Sequence, residues 1–352
     1  MRIFGSYLDE VPAAGLANLR TAFRWAADHG DLDVAATIAT YAGLLGVVVH
    51  NYEPIAWAEE LIEPARAVDH PRLAFLHVIV SQCFMFGRFE AAARYANDAQ
   101  SVIGSGRGEV PYGIEGALGL VYVAIGQPER CVEWCRAQLA RGRDTHTLTR
   151  ACLVTALTAA GAGDEARAAT NGLIDAAEAT HNPYALSFTL YAYAFRDTDP
   201  VRALEALRRG LVIAQDSGNR FTESLLAGSA SRLEAEHGDP LAALDYVTLT
   251  IRTFHDAGNT GLMRSPMASL AALLDRLGRY EPAATIAGFA FSALTATLPE
   301  FSAAIAHLRE VLGDQTYESL ARKGETMTTA EMVTHAYDQI DQARAEPDAV
   351  SK

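Results

Sequence analysis

Residues 118–141 read Leu118-Gly119-Leu120-Val121-Tyr122-Val123-Ala124-Ile125-Gly126-Gln127-Pro128-Glu129-Arg130-Cys131-Val132-Glu133-Trp134-Cys135-Arg136-Ala137-Gln138-Leu139-Ala140-Arg141. Apolar residues recur at helical period on both sides of Gly126-Gln127-Pro128, and nothing alternates with the period of a strand. Pro128 stands near the first position of the second segment, where a missing N–H costs nothing. The stretch predicts two helices joined by a tight turn.

The same punctuation recurs along the chain. It is found at His29-Gly30-Asp31, Gly87-Arg88-Phe89, Gly163-Asp164, Asp197-Thr198-Asp199-Pro200, Gly238-Asp239-Pro240 and Gly278-Arg279-Tyr280. From Gly87, with Thr198 marking the fifth turn, the spacings are 39, 37, 35, 40 and 40 residues. Five residues after each turn stand Ala92, Cys131, Ala168, Ala203, Ala243 and Ala283, all small. A small residue there lets the second helix of a pair approach the first closely. The pattern predicts seven helix pairs, at 31–49/53–67, 71–86/88–102, 109–125/128–141, 145–161/163–179, 183–196/199–216, 220–237/239–256 and 260–277/280–297. A helix over 13–28 precedes them. Three shorter helices, over 300–312, 314–322 and 328–343, follow, the last opening with the capping-box spacing Thr328-Thr329-Ala330-Glu331. The expected organisation is an N-terminal capping helix in 1–30, repeats over 31–298, a C-terminal helical cap in 299–345 and a tail over 346–352.

In the third pair, Leu118, Gly119, Tyr122 and Gly126 stand where a tetratricopeptide (TPR) repeat has its Leu-Gly-x-x-Tyr and turn glycine. The chain resembles that family over about residues 30–300, with degenerate repeats of 35–40 residues. The resemblance implies an all-α, right-handed TPR-like α-solenoid. Leu16-Ala17-Asn18-Leu19-Arg20-Thr21-Ala22-Phe23-Arg24-Trp25-Ala26-Ala27-Asp28-His29-Gly30-Asp31 is similar to the first helix of the TPR-like region in large bacterial signalling proteins, where it follows a STAND-type ATPase. Leu312-Gly313-Asp314 through Gly324, Met327-Thr328 and Val333–Ala336 resemble the end of that region. Those proteins often add a class III nucleotide cyclase or a LuxR-type helix-turn-helix. The sequence shows no counterpart of the ATPase, the cyclase or a DNA-binding domain, so the chain reads as the sensor region alone, either a separate gene product or a fragment.

Composition narrows the function. The net charge is −14, which disfavours sequence-independent contact with phosphate backbones. The longest apolar stretch, Ile38–Val49, is read as too short for a bilayer, and the first ten residues do not form a secretory signal. Four cysteines make no disulfide scaffold, so a reducing cytoplasm is the expected compartment. Lys323 and Lys352 are the two lysines, which excludes a GxxxxGK[ST] phosphate loop.

The candidate motifs have simpler readings. Cys131-x-x-x-Cys135, near His146 and Cys152, lacks a zinc-finger spacing and falls on small packing positions. Gly104-Ser105-Gly106-Arg107-Gly108 follows a helix rather than a strand, which marks an inter-repeat loop. Neither HExxH nor GxSxG occurs among the scattered histidines and serines. No cofactor, metal or catalytic residue is expected.

The first helices of successive pairs should line a concave face. The repeat frame projects onto it His77, Ser81, Phe84 and Met85, then Arg150 and Leu157, then Phe188, Phe195 and Arg196, then Arg232 and Glu236. Aromatic, Met and Arg side chains are what binding hot spots favour. The expected function is non-catalytic recognition of a protein or peptide partner, or of a small effector, in bacterial signal transduction or transcriptional regulation. Direct nucleic-acid or membrane contact is not expected, and self-association is left open. Two alternatives are a regulator with a cryptic helix-turn-helix over 314–343, whose basic residues are Arg322 and Lys323, and a remnant of a cyclase or ATPase regulator.

Overall fold

The computed structural model describes residues 13–345 except 107, 109, 145, 293 and 294. It is all-helical, with no strand among the described residues, and its packing is compatible with an α-solenoid. The chain separates into two compact units, Met1–Phe84 with Arg88–Glu223, and Met85–Gly87 with Ser224–Lys352.

The first unit contains α1 (Ala13–Asp28), α2 (Leu32–Val49), α3 (Glu53–Glu60), α4 (Ile62–Ala67), α5 (Leu73–Ser81), α6 (Phe89–Gly104), α7 (Leu118–Ala124), α8 (Pro128–Ala140), α9 (Leu148–Ala159), α10 (Gly163–Ala169), α11 (Leu173–Ala179), α12 (Pro183–Arg196) and α13 (Pro200–Asp216). Helix α14 (Arg220–His237) begins in it and continues into the second. Short 3-10 segments cover Gln82–Phe86 and Pro111–Ala117.

Starts follow capping chemistry. Asp31 caps α2 by accepting from Val34 N, and Asn182 caps α12 by accepting from Tyr184 N and Ala185 N. Asp199 and Asp239 do the same for the helices that open at Pro200 and Pro240. Stops follow the turn glycines. At Gly126, φ is 75°. Gly126 N donates to Val123 O (3.1 Å) and Gln127 N to Tyr122 O (2.7 Å), the two bonds of a Schellman turn. Gly30, Gly161, Gly218, Gly258 and Gly278 repeat this pair of bonds.

That geometry corrects the fourth turn. It lies at Gly161, with φ 75°, and Gly163 is already the first residue of α10. Five residues beyond Gly161 stands Ala166, fully buried, whereas Ala168 is exposed. With this shift, Ala35, Ala92, Cys131, Ala166, Ala203, Ala243 and Ala283 all lie at 0 % exposure, so the small-residue position holds through the series.

Several expected helices are interrupted. Pro64 lacks an N–H and its ring crowds the carbonyl one turn earlier, so the 53–67 segment divides at Leu61 into α3 and α4. Gly172, at φ 65°, divides the 163–179 segment. Pro111, Gly113 and Gly116 are poor helix formers and leave Pro111–Ala117 as 3-10.

Within the first unit, α5 packs on α6, α7 on α8, α9 on α10 and α12 on α13. The leading helices also touch in succession, α2 on α5, α5 on α7, α7 on α9 and α9 on α12. Backbones come close through small residues. A Cβ on Gly119 would fall under 3.0 Å from Cys131 Sγ, and one on Gly43 would fall equally close to Ile79. Among the described residues, α2 is the one helix long and apolar enough, by length and composition, to cross a membrane, contrary to the shorter apolar stretch expected from the sequence. Its apolarity has another use, because Ala35, Ala36, Ala39, Ala42, Val47 and Val48 are buried.

The second unit adds α15 (Pro240–Asp256), α16 (Arg264–Arg276), α17 (Tyr280–Ala290), α18 (Pro299–Leu312), α19 (Asp314–Glu325) and α20 (Thr329–Ala345). Helix α17 stops short of the expected 297 because Thr295 Oγ1 donates to Ala290 O (2.8 Å) and pairs with Ser292, a local turn that competes with the helix. Helices α15, α16 and α17 pack in order, and α20 folds back against all three. Their shared core includes Leu244, Ile251, Met267, Leu274, Phe301, Met332 and Ile340. Helices α17 and α19 cross at backbone contact. A Cβ on Gly288 would overlap the Ala321 carbonyl, and one on Gly324 the Thr285 carbonyl, each under 3.0 Å.

Candidate functional site

Six residues projected onto an open face are buried. His77 and Ser81 lie inside α5, a helix buried along its whole length, and Phe84, Met85 and Phe188 are at most 3 % exposed. The physical reason is that the leading helices are packed on more sides than a two-layer repeat requires, and their apolar and hydroxyl faces fill the space. Ser81 Oγ donates to Val78 O (2.6 Å), and Ser187 and Thr222 meet hydroxyl to hydroxyl at 3.1 Å. Leu157 is buried too. Burial holds the His77 imidazole below its ordinary pKa, and its Nδ1 has no hydrogen-bond partner among the described residues.

The remaining expected residues stay nearer the surface. Arg150 is tied to Asp144 (Nε–Oδ2 2.6 Å), whose other oxygen accepts from the backbone N–H groups of Thr149 and Arg150. In the second unit, Arg232 pairs with Glu300 at 3.5 Å, and Glu236 is exposed, its backbone carbonyl accepting from Arg276. Phe195 and Arg196 are half-buried on α12.

Helix α12 is where expected residues come together. Tyr184, Phe188, Tyr191 and Phe195 lie at i, i+4, i+7 and i+11, one face of a helix. Their ring centroids follow one another at 6.4, 5.8 and 5.9 Å. Phe188 is the buried rung, and Tyr191 and Phe195 are half-buried. The series ends at Arg196, the last residue of the helix, followed by Asp197, which accepts from Arg202. Burial raises the Tyr184 phenol above its usual range, so its hydroxyl is neutral near pH 7. Tyr184 and Tyr191 were legible, since Tyr-x-x-x-Phe-x-x-Tyr-x-x-x-Phe is written in the sequence. The repeat frame passed over them.

A second concavity in the first unit was not anticipated. A cleft of about 200 Å³ is bounded by Ile103, Gly104, Gly106, Gly108 and Val110 on one side and by Glu115, Gln138, Arg141 and Arg143 on the other. Trp134 Nε1 donates to Glu115 O (2.7 Å), fixing the 3-10 segment against α8. Arg141 N and Arg143 N both donate to Gln138 O at 3.0 Å, around Gly142 at φ 70°. The sequence signals were the glycine-rich loop and the Arg-Gly-Arg that ends α8.

The four thiols are buried. Cys131 and Cys135 approach to 3.9 Å, and Cys135 is raised well above the usual thiol range by its hydrogen bond to Cys131 and by burial. Burial raises Cys152 as well and pushes Cys83 up to about 11. Cys83, Cys135 and Cys152 are therefore thiols rather than thiolates at neutral pH, and thiolates are the metal-binding and nucleophilic form. No group of three or more His, Cys, Asp or Glu side chains among the described residues could hold a metal ion. In comparisons with known proteins, no family matches the chain and no curated protein matches it.

Proposed function

We propose that the chain is a non-catalytic recognition module, a right-handed TPR-like α-solenoid that binds a protein or peptide partner through the aromatic row of α12. The observation that carries this reading is the row itself. Tyr191 and Phe195 remain half-buried, backed by the buried Phe188 and ending at Arg196. Tyr and Arg supply large contact area with a polar handle, and a ring already held by its neighbours loses little entropy on binding. The solenoid reading is supported by the succession of leading-helix contacts and by the recurrent buried small residue five positions after each turn. The likeness of Leu16–Asp31 to the first helix of STAND-associated repeat regions supports a role in bacterial signalling. Four buried free cysteines suit a reducing compartment, which in that setting is the cytoplasm.

The test is site-specific photo-crosslinking in the cells that make the protein, with a benzophenone amino acid at position 195. The control position is Val201, 63 % exposed on α13. The reading predicts one discrete adduct from 195 that Tyr191→Ala abolishes. Equal adducts from 195 and 201, or adduct formation indifferent to Tyr191→Ala, would remove α12 from consideration.

A further inference from the structure

We propose that the cleft between the ends of α6 and α8 is a binding site for a small organic monocarboxylate. It uses elements other than α12 and stands independently of the partner-binding reading.

The floor is the first argument. Gln138 is 1 % exposed, it lines the cleft, and its Nε2 has no hydrogen-bond partner among the described residues. A buried amide N–H without an acceptor is costly, and such groups usually mark a place that something else completes. The amide is also held in position. Trp134, one turn earlier on the same face of α8, is anchored to Glu115 O, and the Gln138 carbonyl is fastened by two backbone N–H groups.

Charge is the second argument. Arg141 and Arg143 flank Gly142 in a Schellman turn, so both guanidinium stems leave fixed backbone at the edge of the cleft. Arg143 and Glu115 are engaged in interactions of their own within the fold. Among the described residues that line the cleft, Arg141 and Arg143 carry positive charge and Glu115 is the acidic side chain. The end of α8 also presents carbonyls, whose partial negative charge opposes a dianion, so a carboxylate suits the cleft better than a phosphate. A planar guanidinium binds both oxygens of a carboxylate, and the Gln138 amide would donate to a further oxygen.

Shape is the third. Gly104, Gly106 and Gly108 form a wall without side chains, and a Cβ on Gly106 would meet nothing within 4 Å. Ile103 and Val110 supply apolar surface for a short hydrocarbon part. A volume of about 200 Å³ equals roughly seven waters at ~30 Å³ each, which restricts the ligand to a comparable number of heavy atoms.

Isothermal titration of the full chain with acetate, lactate, lactamide and inorganic phosphate tests the assignment. Saturable binding of lactate is expected, with no binding of the uncharged lactamide. Arg141→Gln should weaken lactate by at least about tenfold, the usual weight of one charge-assisted contact, and Gln138→Leu by a similar factor. Arg141 lies on the surface, so its variant keeps the test valid even if Gln138→Leu fails to fold. Absence of saturable carboxylate binding, binding of lactamide equal to that of lactate, binding of phosphate alone, or a folded Arg141→Gln protein with unchanged affinity would each overturn the proposal.

Discussion

Replacing Gly119 by Ala asks whether α7 and α8 meet where the repeat spacing says they do. The new Cβ would fall under 3.0 Å from Cys131 Sγ. Overpacking of this kind costs about 1–3 kcal/mol, offset by about 1 kcal/mol from the better helix propensity of Ala. The expected net loss is thus up to about 2 kcal/mol. Cys131→Ala removes one buried methyl-sized atom, at a cost of about 0.5–1.5 kcal/mol. In the double variant the added carbon occupies the space the sulfur left. Both penalties then fall away, and stability returns to the wild-type value or slightly above it. The cycle should show a favourable coupling of at least about 1 kcal/mol. Urea unfolding followed by tryptophan fluorescence suits the measurement, because Trp25, Trp57 and Trp134 all lie in the first unit and report on it alone. The midpoint should move while the m-value stays constant. Strictly additive losses would refute the close approach and, with it, the alignment of the third pair.

Other consequences are checked in the same way. Gly324→Ala in α19 should cost more than Gly119→Ala, about 3 kcal/mol or above, because the clash is with the Thr285 backbone and no side chain can yield; calorimetry of the second unit's transition would show it. Asp199→Ala removes the oxygen that accepts from Val201 N and Arg202 N and should lower stability by about 1 kcal/mol by urea titration. Stability should also fall as the pH drops below about 6.5, since the unfolded chain takes up a proton there that the buried, neutral His77 refuses until lower pH. Besides its own element, His77 faces Tyr95 on α6 and feels Asp98, Arg66 and Glu63. His77→Gln should therefore flatten the thermal midpoint against pH between neutrality and pH 5.

Much of the helical plan was legible because punctuation is local chemistry. Pro128, Pro200 and Pro240 open helices, Asp199 and Asp239 cap them, and Gly126 closes one, each through bonds within a few residues. The small residue after each turn was legible too, with the fourth frame moved to the left-handed Gly161. Gly163 misled because it sits two residues after Gly161 and also precedes an acid, yet backbone conformation, not residue identity, decides which one turns the chain.

The site was less legible. A repeat frame says which helix leads, but not how many neighbours bury it. His77, Phe84 and Phe188 look like surface hot spots in a one-dimensional projection and are core in three dimensions. Tyr191 escaped because it falls between frame positions, although its spacing to Phe188 and Phe195 is on one helix face. The cleft at Gln138 escaped for another reason. It joins Ile103, Gly104, Gly106, Gly108 and Val110 to Glu115, Gln138, Arg141 and Arg143 through a chain reversal that composition does not announce, and the orphaned amide is visible only once its neighbours are in place.

The most direct measurement of the central claim is the affinity of wild-type chain and of Tyr191→Ala/Phe195→Ala for the partner captured at position 195, determined by titration calorimetry with both proteins purified. Loss of two aromatic anchors should cost at least about 2 kcal/mol, roughly a thirtyfold rise in Kd, with the helical circular dichroism unchanged. A folded double variant that binds as tightly as the wild type would contradict the account.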